Sequence, residues 1–327
     1  MLYARLIVMR LLKAVVVLFL IVIFNFFLIH MAPGDPAAVL AGAGEAGATD
    51  EQFLRQLREQ FGLDQPMYVQ LWRYVSGIAM LDFGYSYRQQ MPVFDLIMAR
   101  MPATLLLTGT AFVLSLALGI LAGSLAAARA KKPSGSLIMA LALLFYATPL
   151  FWVALMAVVL FSVYLDWLPA YGMYTVGAGY TGLALALDVG KHLILPATTL
   201  ALFFMAIYTR MTRTSMLEAS QQDYVKTARA KGLSPRIIQR RHILRNALLP
   251  IITLAGLQAG QMVGGAILTE TVFAWPGIGR LMYEALMQRD YNLLLGIFFF
   301  SAALVIVFNI LTDLVYRLAD PRIKEAS

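Results

Sequence analysis

Apolar residues gather in six long runs, at about 11–31, 104–128, 136–164, 193–208, 248–268 and 293–315, separated by polar connections of very unequal length. A helix crosses the hydrocarbon core of a bilayer with roughly 20 apolar residues, so the pattern predicts six membrane-spanning helices with both termini on one side. The fourth run is the shortest and contains Pro196, which a helix tolerates near its start. The first run follows Arg5, Arg10 and Lys13, and alanines beyond Pro33 imitate a cleavage site. A secretory signal peptide is the competing reading, but the apolar core is too long for one and reads as a spanning anchor.

Between the first two runs lies a polar segment, 32–101, with its own helical signal over 49–62. Thr49 suits a helix start and Gly62 a helix end. Phe53, Leu57 and Phe61 recur at four-residue spacing, an apolar stripe that must pack on something. The pattern predicts a small external subdomain that either covers the membrane bundle or gates access to it. The chain thus divides into 1–31, a tail and first span; 32–101, the external subdomain; and 102–327, the remaining five spans with a long polar loop at 210–245.

Composition agrees with the pattern. Hydrophobic residues make up 60% and charged residues only 13%, whereas about a quarter of a soluble domain is charged. There is no cysteine, which excludes disulfide frameworks, thiolate metal sites and cysteine nucleophiles. The net charge of +8 is unevenly placed: 18 of the 26 Lys and Arg residues fall in the N-terminus, the 129–132 turn, the 210–245 loop and the C-terminal tail. Positive residues stay cytoplasmic, so both termini and the long basic loop are expected on that side. Eight of the 18 acidic residues lie in 32–101, where they balance five arginines.

The fifth run carries Gly256, Gly260 and Gly264 at four-residue spacing, with Thr253, Gln258 and Gln261 among them. Small faces let helices approach closely. Polar groups are costly against lipid, so Thr253, Gln258, Gln261 and Glu270 are candidate residues of a translocation path. For Glu270 the alternative is a carboxylate that hydrogen-bonds the turn around Pro276 and Gly277. Gly119 and Gly123 in the second run point to packing.

The 210–245 loop is the most informative stretch. Residues 223–235 read Asp223-Tyr224-Val225-Lys226-Thr227-Ala228-Arg229-Ala230-Lys231-Gly232-Leu233-Ser234-Pro235. A first short helix should stop at Gly232, and Ser234 and Pro235 suit the cap and first position of a second. The expected unit is a compact helix–turn–helix parallel to the membrane. Charge alone would mark a surface held by anionic lipid. Small residues at Ala228, Ala230 and Gly232 would instead let a partner's groove close around the helix, which points to docking of a soluble motor.

Residues 224–233 resemble the coupling-helix motif of permeases in the dipeptide/oligopeptide (and nickel-chelate) class of bacterial ABC importers. Similar to the same family are Pro33-Gly34-Asp35-Pro36, Gly62-Leu63-Asp64-Gln65-Pro66, Asp82-Phe83-Gly84 with Ser86, Arg100-Met101-Pro102-Ala103-Thr104, the 242–250 stretch, the 270–279 stretch, Arg289-Asp290-Tyr291 and Asp320-Pro321-Arg322. Where the general importer motif opens Glu-Ala-Ala, this chain has Lys226-Thr227-Ala228, so only Ala228 and Gly232 carry over directly. The change removes any salt bridge the acidic residue would make and leaves docking itself.

The resemblance implies an all-α integral membrane protein of the type I ABC importer permease fold in the bacterial inner membrane. It also implies a second homologous permease, two ATP-binding subunits and an extracytoplasmic substrate-binding protein. ATP-coupling residues would be Asp223, Tyr224, Lys226, Ala228, Arg229, Ala230, Lys231, Gly232, Ser234 and Pro235. No catalytic residue, metal or cofactor is expected in this chain. ATP and Mg2+ would be bound by the partners, in keeping with the lack of a Gly-x-x-x-x-Gly-Lys-Ser/Thr run. The cargo would be di- or oligopeptides, with nickel chelates, glutathione-like and opine-like solutes as alternatives.

Two other classes fit less well. An ion-driven secondary transporter would usually show inverted repeats around a midplane site, and a membrane hydrolase needs a Ser/His/Asp or His/Glu cluster that the spans lack. His30 and His192, at outer helix ends, read as interfacial residues rather than metal ligands. His242 reads as packing within the basic loop. Asp313 and Arg317 are placed to form an i,i+4 pair.

Overall fold

The computed structural model describes residues 2–31, 52, 55, 56, 58, 59, 64–86 and 88–319. Expectations for Thr49, Phe53, Leu57, Phe61 and Gly62, and for the 33–36 and 320–322 motifs, lie outside those residues. The Asp313 and Arg317 side chains do too. Ten helices organise the described chain: α1 (Leu2–Met31), α2 (Met67–Ala79), α3 (Val93–Ala128), α4 (Pro133–Ala147), α5 (Leu150–Ala157), α6 (Gly182–Ser220), α7 (Asp223–Ala230), α8 (Arg245–Val272), α9 (Ile278–Met287) and α10 (Tyr291–Ala319). A minimal hairpin pairs β1 (Tyr85–Ser86) with β2 (Met91–Pro92), Tyr85 opposite Pro92.

Each apolar run is helical. Among the described residues, Val93–Ala128, Gly182–Ser220, Pro235–Met262 and Tyr291–Thr312 are long and apolar enough to cross a membrane, and α1 carries a shorter apolar stretch, Leu12–Leu28. The third run departs from expectation. It is two helices, bent by 101° where one span was expected. The break is at Thr148-Pro149, and Thr148 is extended at φ −83 and ψ 134. Proline's ring disfavours the helical region for the residue before it and its nitrogen has no proton to donate. The Thr148 hydroxyl instead donates back to the Leu144 carbonyl at 2.7 Å. Beyond Pro149, α5 passes into a π-helical turn, Val158–Tyr164.

The fourth run is also corrected. The helix covers Gly182–Ser220, well beyond 193–208, with Pro196 buried inside it. Asp188, Lys191, Arg210 and Arg213 depress hydropathy at its ends, yet they leave the backbone ladder free to continue. The second helix of the basic loop is not a separate element. Ser234 and Pro235 start it as expected, but it runs through a π-helical turn, Ile238–Leu244, straight into α8.

The chain forms two compact units, 1–103 with 276–306, and 104–275 with 307–327. In the first, Val22 of α1, Ile78 of α2, Phe83, Val93 and Ile97, Leu281 and Ala285 of α9, and Leu293 and Ile297 of α10 form one apolar core. Phe83, Phe299 and Phe300 cluster with ring centroids 4.9–5.8 Å apart, within the range of favourable aromatic pairs. Polar ties fix the register. The buried Ser86 hydroxyl donates to the Asp290 carboxylate, Asp290 in turn accepts from the Leu293 amide at 3.2 Å, and Asn292 donates to the Tyr85 carbonyl at 3.1 Å. Two motifs 204 positions apart thereby share one hydrogen-bonded cluster. Asn25 donates to the Leu295 carbonyl at 3.2 Å, and burial pushes the Tyr74 phenol of α2 up to about 12, offset in part by a hydrogen bond with Asn25.

In the second unit, α6 is the central helix, packed by α4, α5 and α8. Gly119 and Gly123 of α3 let it lie directly on Tyr208 and Thr212, with no room for a Cβ at either position. Gly256 of α8 lies equally close to Thr312, whereas Gly264 has open space. Close packing therefore explains Gly256 and not Gly264.

Candidate functional site

The basic loop builds an exposed helical platform within the second unit. Helix α7 spans Asp223–Ala230 and ends at Gly232, whose φ of +74 is the left-handed conformation expected of a helix-terminating glycine. Gly232 and Leu233 donate backbone bonds back to Arg229 and Ala228 at 2.9 and 3.3 Å. One edge of α7 is anchored: Val225 and Ala228 are buried with Met216, Ala219, Ile238, Ile243 and Ala247. The opposite face is open. Asp223 and Lys226 pair at 2.8 Å with side chains 93% and 71% exposed, a contact that contributes little at such exposure. Tyr224, Arg229, Ala230, Lys231, Gly232, Ser234 and Pro235 are exposed as well.

Ala228 is a departure from the sequence reading. Its small side chain lets α7 sit on its own bundle rather than inside a partner's groove. Ala230 and Gly232 remain on the open side. His242 lies at the edge of this platform, its carbonyl accepting from the Asn246 amide at 2.9 Å. Beneath α7 is a cavity of about 290 Å³ reached by Met216, Ser220, Arg229, Pro235 and Gln239.

The far end of α8 closes in a buried turn. Glu270 is fully buried and accepts a 2.7 Å hydrogen bond from the Thr104 hydroxyl, which is fixed in turn because Thr108 donates to the Thr104 carbonyl. The Trp275 amide donates to the Glu270 carbonyl at 2.8 Å, and Gly172 donates to the Phe273 carbonyl at 2.9 Å. Phe273 and Trp275 are buried, and Phe273 packs with Ala154, Val158 and Leu195. Glu270 thus holds the turn through both its side chain and its backbone.

The four candidate path residues are not brought together. Thr253 and Gln261 are exposed, with the Thr253 hydroxyl donating to the Leu249 carbonyl. Gln258 faces a groove of about 430 Å³ between α4, α6 and α8. Its Oε1 is buried without a hydrogen-bond partner. Tyr146 and Arg210 line the same groove. Sequence reasoning counted Arg210 only as a loop charge, although a charge at the end of an apolar run is itself a signal.

Neither His30 nor His192 meets a carboxylate cluster among the described residues. His30 bonds to the Phe26 carbonyl and lies 3.0 Å from Gln70 Oε1, and His192 donates to the Asp188 carbonyl at 2.9 Å. Among the described residues no group of three potential ligands forms a metal site.

Apolar helices around a central α6, with a short, anchored, charge-faced helix projecting from one loop, define a membrane permease. Residues 119–325 match the family described as binding-protein-dependent transport system inner membrane component, and residues 2–108 match the family of the N-terminal part of the membrane component of such systems. The oligopeptide transport system permease protein AppB of Bacillus subtilis is 38% identical over 98% of this chain and 99% of its own. The dipeptide transport system permease protein DppB of Escherichia coli is 38% identical over 93% and 94%. A putative peptide transport system permease protein of Brucella abortus is 38% identical over 98% of both chains. In fold, the inward-facing MetNI methionine ABC transporter matches 69% of this chain and 96% of its own with a TM-score of 0.56 at 17% identity.

This chain belongs to the binding-protein-dependent transport inner-membrane component family, with the type I ABC importer permease fold. It is a multi-pass membrane transport subunit rather than an enzyme, and it works with ATPase and substrate-binding components.

Proposed function

We propose that this chain is one of two permease subunits of an ABC importer for di- or oligopeptides, working with two ATP-binding subunits and an extracytoplasmic binding protein. The names of the 38% identical relatives support peptide as cargo. The carrying observation is α7, anchored by Val225 and Ala228 while its charged face stands open. A surface of this kind suits a motor that docks differently in two nucleotide states and thereby shifts the membrane helices between two arrangements. Asp223, Tyr224, Lys226, Arg229, Ala230, Lys231, Gly232, Ser234 and Pro235 form the contact, and Ala228 seats it. ATP and Mg2+ are held by the partners. Charge sidedness puts both termini and α7 in the cytoplasm, with 32–101 as an external subdomain.

The test is copurification of the chain with its ATPase, followed by binding-protein-dependent peptide uptake into proteoliposomes. Uptake should require ATP and stop with vanadate. Uptake by the lone chain, or uptake driven by an ion gradient without ATP, would overturn the proposal.

A further inference from the structure

The groove between α4, α6 and α8 holds an imbalance that the permease fold does not require. Of its lining residues only Arg210 carries a formal charge, and none is acidic. The Arg210 guanidinium makes no ion pair among the described residues. Arg210 is exposed at the edge of the groove, where its charge is solvated and open to an anion. Lining the same groove from α8, the buried Gln258 Oε1 has no donor, and leaving such an acceptor unsatisfied costs about 1–3 kcal/mol. The groove therefore offers an anion an exposed guanidinium and holds a buried acceptor that has no N–H donor. Its volume of about 430 Å³ falls within the roughly 300–1,000 Å³ of small-ligand sites.

We propose that this groove is a transient cargo site in which Arg210 binds the C-terminal carboxylate of a short peptide and Gln258 Oε1 accepts a hydrogen bond from a peptide N–H. The assignment rests on peptide being the cargo. Guanidinium and carboxylate match as a two-pronged, charge-assisted pair. The remaining wall, with Met139, Leu143, Met211 and Leu254, is apolar and adaptable, since methionine side chains reshape around varied groups. Tyr146 and Thr214 add polar edges. A permease of this kind reads the terminus that all peptides share and leaves their side chains largely unread. A membrane phospholipid would answer Arg210 with its phosphate, and an ethanolamine or glycerol headgroup would also donate to Gln258, so the experiment must separate lipid from peptide.

The test uses the purified complex with its ATPase subunits. A dipeptide carrying benzoylphenylalanine is photocrosslinked to it, the adducts are mapped by mass spectrometry, and labelling is competed with a plain dipeptide or its C-terminal amide. Adducts are expected within 139–146, 206–214 or 254–258, with the free acid competing about tenfold better than the amide. Arg210→Gln should abolish that preference, Arg210→Lys should restore part of it, and Gln258→Met should weaken acid and amide alike. Adducts elsewhere, an unchanged preference in Arg210→Gln, or a copurified phospholipid lost on that substitution with peptide labelling intact would each overturn the site. Dipeptide uptake by the wild-type complex in proteoliposomes separates the two readings. If uptake occurs and labelling misses the groove, only this site falls; if no peptide is taken up, the cargo reading falls with it.

Discussion

Thr104 and Glu270 lie 166 positions apart and meet in a 2.7 Å hydrogen bond, hydroxyl to carboxylate, out of contact with solvent. The pair ties the start of one spanning stretch to the closing turn of another inside a single unit. Glu270→Leu should cost about 1–3 kcal/mol by removing the carboxylate that accepts from the Thr104 hydroxyl, while Glu270→Gln, which keeps an acceptor oxygen, should cost less. Thermal unfolding of the detergent-purified protein measures both. Equal losses in the two variants would show that charge rather than the hydrogen bond is what the turn needs.

The two faces of α7 should respond differently to bulk. Ala228→Trp drives a large ring into a filled cluster and should lower stability by about 1–3 kcal/mol. Thr227→Trp, on the exposed face, should leave stability within about 0.5 kcal/mol yet separate ATP hydrolysis from peptide uptake. The check is paired assays of melting temperature, ATPase rate and uptake.

The contact of α3 with α6 depends on the absence of side chains at Gly119 and Gly123. Gly123→Leu should push the helices apart at Thr212 and reduce folded protein in the membrane, whereas Gly264→Ala, in open space, should be tolerated. Comparing the yield of monodisperse protein after detergent extraction decides between them.

Tyr74 gives a pH signature. Its phenol is pushed up to about 12 by burial, above an ordinary value of about 10. A raised value means that the folded state holds the proton more tightly, so the contribution is complete below pH 10 and is lost as pH rises toward 12. Tyr74→Phe should therefore flatten the fall in melting temperature across that alkaline range. An identical alkaline fall in wild type and variant would contradict the shift.

The apolar helices were legible in the sequence because hydropathy reports burial in lipid directly, although among the described residues only four, or five with the bent pair, are long and apolar enough to span. All six apolar runs are helical, and Gly232, Ser234 and Pro235 take the cap and turn positions that their backbone preferences dictate. What hydropathy cannot see is where a helix continues through charge. It missed the ends of α6 at Asp188 and Arg213, and it missed the continuity from Pro235 into α8, because both depend on the backbone ladder rather than on side-chain polarity. Pro149 was visible, but an apolar window averages over one residue and hides a break. The direction in which Ala228 points followed from tertiary packing, so its small size read equally well as docking surface or as core. Gln258 was singled out as an amide in an apolar helix, but its neighbour Arg210 came from another helix, and no spacing along the chain joins them.

The unbroken path from Pro235 to Val272 has a mechanical meaning. At about 1.5 Å per residue it is a rod on the order of 50 Å long, with α7 packed at one end and the Glu270 turn at the other. A soluble motor docked on α7 would load that rod through the short turn at 231–234 and through Val225 and Ala228 packed on Ile238, Ile243 and Ala247. Its compliant points are the π-helical turn at Ile238–Leu244 and Pro250, where the regular ladder is interrupted. Stiffness elsewhere would deliver a small displacement at the docking end to the opposite end undiminished, with the bending confined to those two joints.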